Sequence, residues 1–271
     1  AMAMTMLPAA AFAEEATDYE LTVNGTKVTS ANAEDILGGG KASYNDATRT
    51  LTLNGDIATT DNAVNPYGRQ LTVTGESTVT GAQRDRYSGF YSGGKPIEVA
   101  ADADITLDTF GFGINAMGAD ISGNMKICNA EYGVNGMGVT IESGGKLIIQ
   151  NADKSVSGGG AKVYGTLEID EAGTAVSDSG VTVDKGGVVT ITGATSGLNG
   201  RSTVVNGSLS VSAKTCIDNG EVIFKSGTLK LDSTNNEAIA LNKLTVNASN
   251  FWYRTARDGA WTKVTGSSYK L

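Results

Sequence analysis

Glu142, Tyr164 and Asp184 stand 22 and 20 residues apart, each directly after a short apolar-x-apolar run: VTI, AKV and VTV. Two carboxyls flanking a phenol are groups that glycoside hydrolysis could use, provided the carboxyls lie about 5–9.5 Å apart. If the three residues occupy equivalent places on successive layers of a stacked chain, the carboxyls fall ~10 Å apart across the tyrosine. That distance favours three solvated surface residues over an acid–base pair. The chain has no histidine, which removes Ser-His and Cys-His nucleophile systems and the commonest metal ligand. Asp102, Asp104 and Asp108 in DADITLD form an acidic group that could hold calcium. That run lacks the glycine–aspartate repeat of calcium-binding β-rolls, so no metal, cofactor or catalytic residue is assigned.

A second set lies in AQRDRYSGFYSGG, residues 82–94, where Arg84, Arg86, Tyr87 and Tyr91 gather in a chain only 6% aromatic. Planar rings beside guanidinium groups suit sugar rings carrying hydroxyls or carboxylates, and binding residues gather on loops of rigid scaffolds. The competing expectation makes Phe90 and Tyr91 strand residues aligned with Gly113 and Ile114, leaving only 84–87 as a long turn. Trp252 and Trp261, in FWYRTARDGAWTKV, form a weaker candidate site, because covering the end of the fold accounts for them without a ligand.

What must position these groups is a repeat. Segments 97–118, 119–138, 139–160, 161–180, 181–200, 201–220 and 221–242 share a period of 20–22 residues, and six of them close on glycine. At the centre of each is an apolar-x-apolar triplet, such as Leu147/Ile149 and Leu167/Ile169, the period-2 pattern of a strand with one buried face. A shorter strand precedes each triplet and another follows it. Three short strands per period, with no stretch at helical spacing, predict a right-handed parallel β-helix. Residues 51–96 read as looser coils ahead of the regular ones, so the solenoid spans 51–242.

Both ends need covering, because open strand edges invite pairing with other chains. Residues 14–50 are expected to form an N-terminal cap, with a hairpin turning at Asn24-Gly25, a helical turn in NAEDILGGG and a strand pair around Asn45-Asp46. Residues 243–271 are expected to form an aromatic C-terminal β cap turning at Asp258-Gly259. The opening AMAMTMLPAAAFA is apolar and small before Glu14, as at the end of a secretory signal peptide cleaved near Ala13. A net charge of −8 argues against nucleic acid, which needs a basic face. The sequence holds no run of about 20 apolar residues that could span a membrane as a helix. Cys128 and Cys216 sit four coils apart, ~19 Å at strand spacing, so both are expected to be free thiols. A monomer is expected.

The run LTVNGTKVTSANAEDILGGGKASYNDATRTLTLNGDI, the coils containing GINAMG and GVNGMG, and the closing FWYRTARDGAW resemble a group of secreted β-helix proteins of Gram-positive gut bacteria. These are often labelled "carbohydrate-binding domain-containing". The resemblance implies an exported, surface-associated protein, and it carries over no catalytic residues. Three readings follow: a non-catalytic module binding a polysaccharide or a host or bacterial surface glycoprotein, a structural spacer of the cell surface, and a polysaccharide lyase or glycoside hydrolase. The first is favoured, and the scarcity of adjacent acids weighs against the third.

Overall fold

In a computed structural model of the chain, the described residues are 15–233, 243–246, 252–253, 260 and 262–263. They contain no helix, and their parallel strands stack as a β-solenoid of about eight turns. The predicted signal-peptide remnant, residues 1–13, lies outside the described residues.

Each coil contributes strands to three faces. The first face holds Ile97–Val99, Ala119–Ile121, Val139–Ile141, Ala161–Val163 and Val181–Val183. The second holds the central triplets in unbroken register, so that Leu107, Ile127, Ile149, Ile169, Ile191, Val211 and Leu231 fall in one column. All of these are buried except Leu231, which is half-buried on the strand Thr228–Ser233, paired with Ser208–Phe224. The third face holds Ser88–Ser92, Phe112–Ala116 and Tyr132–Gly136. Here Phe90 aligns with Ile114 and Tyr91 with Asn115, one residue away from the expected register.

The interior fits because large and small side chains alternate between faces. Gly113, Gly133, Ser155, Ala175 and Gly197 share one inward column of the third face. A β-carbon on Gly133 would press to 2.8 Å from Cγ2 of Ile149, which fills that space from the second face. Ser155 is fully buried and its hydroxyl has no partner. An unsatisfied buried hydroxyl costs roughly 1–3 kcal/mol, and the next coil uses alanine at this place. Ser155→Ala is therefore expected to leave stability unchanged or raise it by ~1 kcal/mol in denaturant titration. A fall of that size would mean that the hydroxyl is held by a buried water.

Between the second and third faces the chain turns through left-handed residues, with Thr109, Asn129, Asn151 and Glu171 at φ 61°, 52°, 52° and 53°. Asparagine tolerates this region because its short amide bonds locally. Asn151 Nδ2 donates to Asn129 Oδ1 at 2.7 Å, and Asn129 Nδ2 to Asp108 Oδ1 at 2.7 Å. A polar column also runs along the third face, with Asn135 Nδ2 donating to Asn115 Oδ1 at 3.3 Å. At its far end the register partner of Asn199 is Asn219, because a bulge inserts Asp218. Asp218 still accepts from Asn199 Nδ2 at 3.1 Å.

In the cap, β1 (Asp18–Val23) and β2 (Thr26–Thr29) pair antiparallel, joined by Asn24 and Gly25 at φ 48° and 71°, as a tight hairpin requires. Next, β3 (Ala42–Asn45) pairs antiparallel with β4 (Thr50–Thr59), whose other edge begins the parallel stack. The helical turn expected at residues 32–40 is absent, and turns and bends stand there. Gly38, Gly39 and Gly40 run consecutively left-handed, at φ 78°, 68° and 70°, which ends any right-handed helix. Cys128 is half-buried, Cys216 is buried, and both are free. Of the C-terminal cap, Trp252–Tyr253 pairs antiparallel with Thr262–Lys263; the expected turn at Asp258-Gly259 and Trp261 lie outside the described residues.

Candidate functional site

The corner where the third face turns into the first carries most of the large hydrophobic residues that are exposed among the described residues. Five large hydrophobic residues are exposed among the described residues, and four gather here: Tyr67 (62%), Tyr91 (37%), Met117 (45%) and Met137 (66%). The register places Met117 and Met137 one above the other, because Ala116 aligns with Gly136 and Ala119 with Val139. Contiguous exposed apolar groups mark interaction surfaces more often than scattered ones do.

Beside this ridge runs a groove of about 390 Å3, lined among others by Pro96, Asp120, Met137, Thr140, Lys162 and Thr182. The strand register explains its floor. Asp120, Thr140, Lys162 and Thr182 take the outward middle place of the first face on successive coils. Its bank beside the ridge is open because Gly118, Gly138, Gly160 and Gly180 line it at the coil corners. Backbone bonds between coils close the floor: Ala119 N donates to Gly138 O, Val139 N to Gly160 O at 2.9 Å, and Ala161 N to Gly180 O.

Glu142, Tyr164 and Asp184 lie on the groove's other side. The amide of each donates to the preceding coil, to Ile121 O, Ile141 O and Val163 O at 2.8–2.9 Å, so the three hold equivalent places, as their spacing predicts. Lys162 went unnoticed in the sequence because it belongs to the neighbouring column. Its ammonium lies 4.9 Å from the centre of the Tyr164 ring. Tyr164 first, then the carboxylates of Asp184 and Glu142, raise its pKa above the ordinary lysine value. Lys162 is therefore a fixed cation at neutral pH, suited to donate hydrogen bonds and unsuited to remove a proton.

The loop residues divide between two corners. Arg84 serves the fold: its Nη2 donates to Ala130 O at 2.9 Å and pairs with Asp153 Oδ1 at 2.8 Å, stapling the loop along later coils. Arg86 is exposed, with its guanidinium 5.5 Å from the Tyr87 ring, and Tyr87 packs partly against the core. Tyr91 lies four strand residues beyond Tyr87, ~13 Å away, beside the groove corner. Phe112 and Tyr132 stack at 5.0 Å and 15°, and Lys154 lies 5.7 Å from the Tyr132 ring on the next coil. Those ring faces are spent on one another, which makes the third face a poorer sugar platform than its composition suggests.

The acids at 102–108 do not converge. Asp102 accepts from Thr74 Oγ1 at 2.7 Å, and Asp108 belongs to the asparagine corner. Among the described residues no group of three or more His, Cys, Asp or Glu side chains could hold a metal ion. No family model, curated protein or solved structure matches the chain.

Proposed function

We propose that this protein is a secreted or cell-surface β-helix module that binds glycan without cleaving it, and that the groove on the first face is its site. The observation that carries the reading is the groove itself. It is elongated along the coil axis, its volume lies in the ~300–1,000 Å3 range of ligand sites, and its floor offers hydroxyl, carboxylate and ammonium groups side by side. Hydroxyl-rich chains both donate and accept, and Asp120, Thr140, Lys162 and Thr182 meet both needs. Catalysis has less support, since Glu142 and Asp184 stand two coils apart with Tyr164 between them. Arg86 and Tyr87 are the second candidate site.

The test is a polysaccharide panel scored for binding and for released product in parallel, using the parent chain, Lys162→Ala, Arg86→Ala and Tyr87→Ala. Retention without release is expected, and Lys162→Ala is expected to weaken it about tenfold or more, the worth of a hydrogen bond to a charged group. Loss in Arg86→Ala and Tyr87→Ala with Lys162→Ala unaffected would move the site to the loop. Release of product would overturn the non-catalytic reading.

A further inference from the structure

Resting on the glycan reading of this groove, we infer that its ligand class is an N-acetylated amino sugar chain. Two kinds of surface meet here that a plain hydroxylated sugar would not use together. Met137 lines the groove and is two-thirds exposed, and Met117 stands directly beside it on the preceding coil, next to the lining residue Gly118. Thioether side chains left in water gain from covering a methyl group, and they adapt to its shape. Asp120 and Lys162 line the same groove, one a pure acceptor and the other a pure donor. Asp120 and Lys162 stand two coils apart, ~10 Å, so successive acetamido groups of a chain supply the complements: methyls for the methionines, an N–H for Asp120 and a carbonyl for Lys162.

A peptide also offers amides and methyl groups, but it would gain affinity mainly by adding a strand to an open edge. The backbone along this bank is already paired from coil to coil, so that route is closed. An acidic sugar chain would meet Asp120, with Glu142 and Asp184 close by, in a protein of net charge −8. The neutral acetamido sugar avoids both obstacles.

Calorimetric titration of the whole chain with N-acetylglucosamine oligomers, with glucose oligomers of the same linkage, and with a short uncharged N-acetylated peptide tests this. The acetylated sugar is expected to bind about tenfold more tightly than its glucose counterpart, the discrimination that one methyl-sized group supplies in an apolar site. The double substitution Met117→Ala, Met137→Ala is expected to abolish that preference with an unchanged melting temperature, since both side chains are exposed. Equal affinity for the two sugars, or a preference that survives the double substitution, overturns the inference and leaves glycan binding standing. Tighter binding of the peptide overturns it in favour of a protein partner. Failure of both sugars and of every polysaccharide in the panel removes the glycan reading as well.

Discussion

Ile169→Asp is expected to leave no cooperatively folded protein at room temperature, whereas Glu168→Ala, one residue earlier, is expected to melt like the parent. Ile169 is 1% exposed, in a column between Ile149 and Ile191. Truncating a buried isoleucine alone costs ~2–5 kcal/mol, and an unpaired carboxylate adds several more. Among the described residues the buried polar side chains are all serines and threonines, so no buried cation stands ready there to neutralise the new charge. The sum approaches the whole stability of a typical domain, ~5–15 kcal/mol. Glu168 points outward and pairs with Lys146 at 3.0 Å, both about 40% exposed, and such pairs contribute ~0–1 kcal/mol. Thermal melts followed by far-UV circular dichroism decide the matter, and equal losses in the two variants would show the facing of this strand to be wrong.

The second large effect is expected at a glycine whose necessity is steric. A β-carbon on Gly180 would overlap the Ser202 carbonyl of the next coil, yet Gly180 is not among the left-handed residues. Backbone cannot rotate aside as a side chain can, so Gly180→Ala must push two coils apart, at a cost at or above the top of the ~1–3 kcal/mol typical of overpacking. Gly186 is the opposite case, at φ +89° with nothing within 4 Å of where an added methyl would sit. There alanine incurs only the left-handed penalty, ~1–2 kcal/mol. Denaturation midpoints of the two single variants should differ accordingly. The reverse order would mean that backbone angle, rather than coil spacing, sets the glycine requirement.

The period was readable because stacking repeats the same constraints every 20–22 residues: one apolar triplet facing in, one close approach at a corner. The same period placed Glu142, Tyr164 and Asp184 together before any coordinates. What the period could not reveal is contact across columns or across several coils. Arg84 reaches Asp153, 69 residues onward, so a residue read as a free ligand group is a staple. Lys162 joins Tyr164 from the adjacent column, two positions earlier in the same coil. Met117 and Met137 read as ordinary apolar residues, because hydrophobicity alone does not say which corner is left uncovered. The displaced pairing at Asn219 arises from a single inserted residue, which total segment length hides. At residues 32–40, where a helical turn is expected, the three left-handed glycines at 38–40 decide the local structure.

The closure of the backbone from coil to coil has a consequence for attack by proteases. A protease binds its substrate as an extended strand and needs about the same open edge that an added peptide strand would use. On the described faces that edge is occupied by the neighbouring coil, so digestion must begin at excursions or ends. The basic excursion at 83–87 carries two arginines, and one of them is tied down to Ala130 and Asp153. In a chain built this way, resistance to proteolysis comes from the stack itself, because the bonds that hold its coils together also withhold them from cleavage.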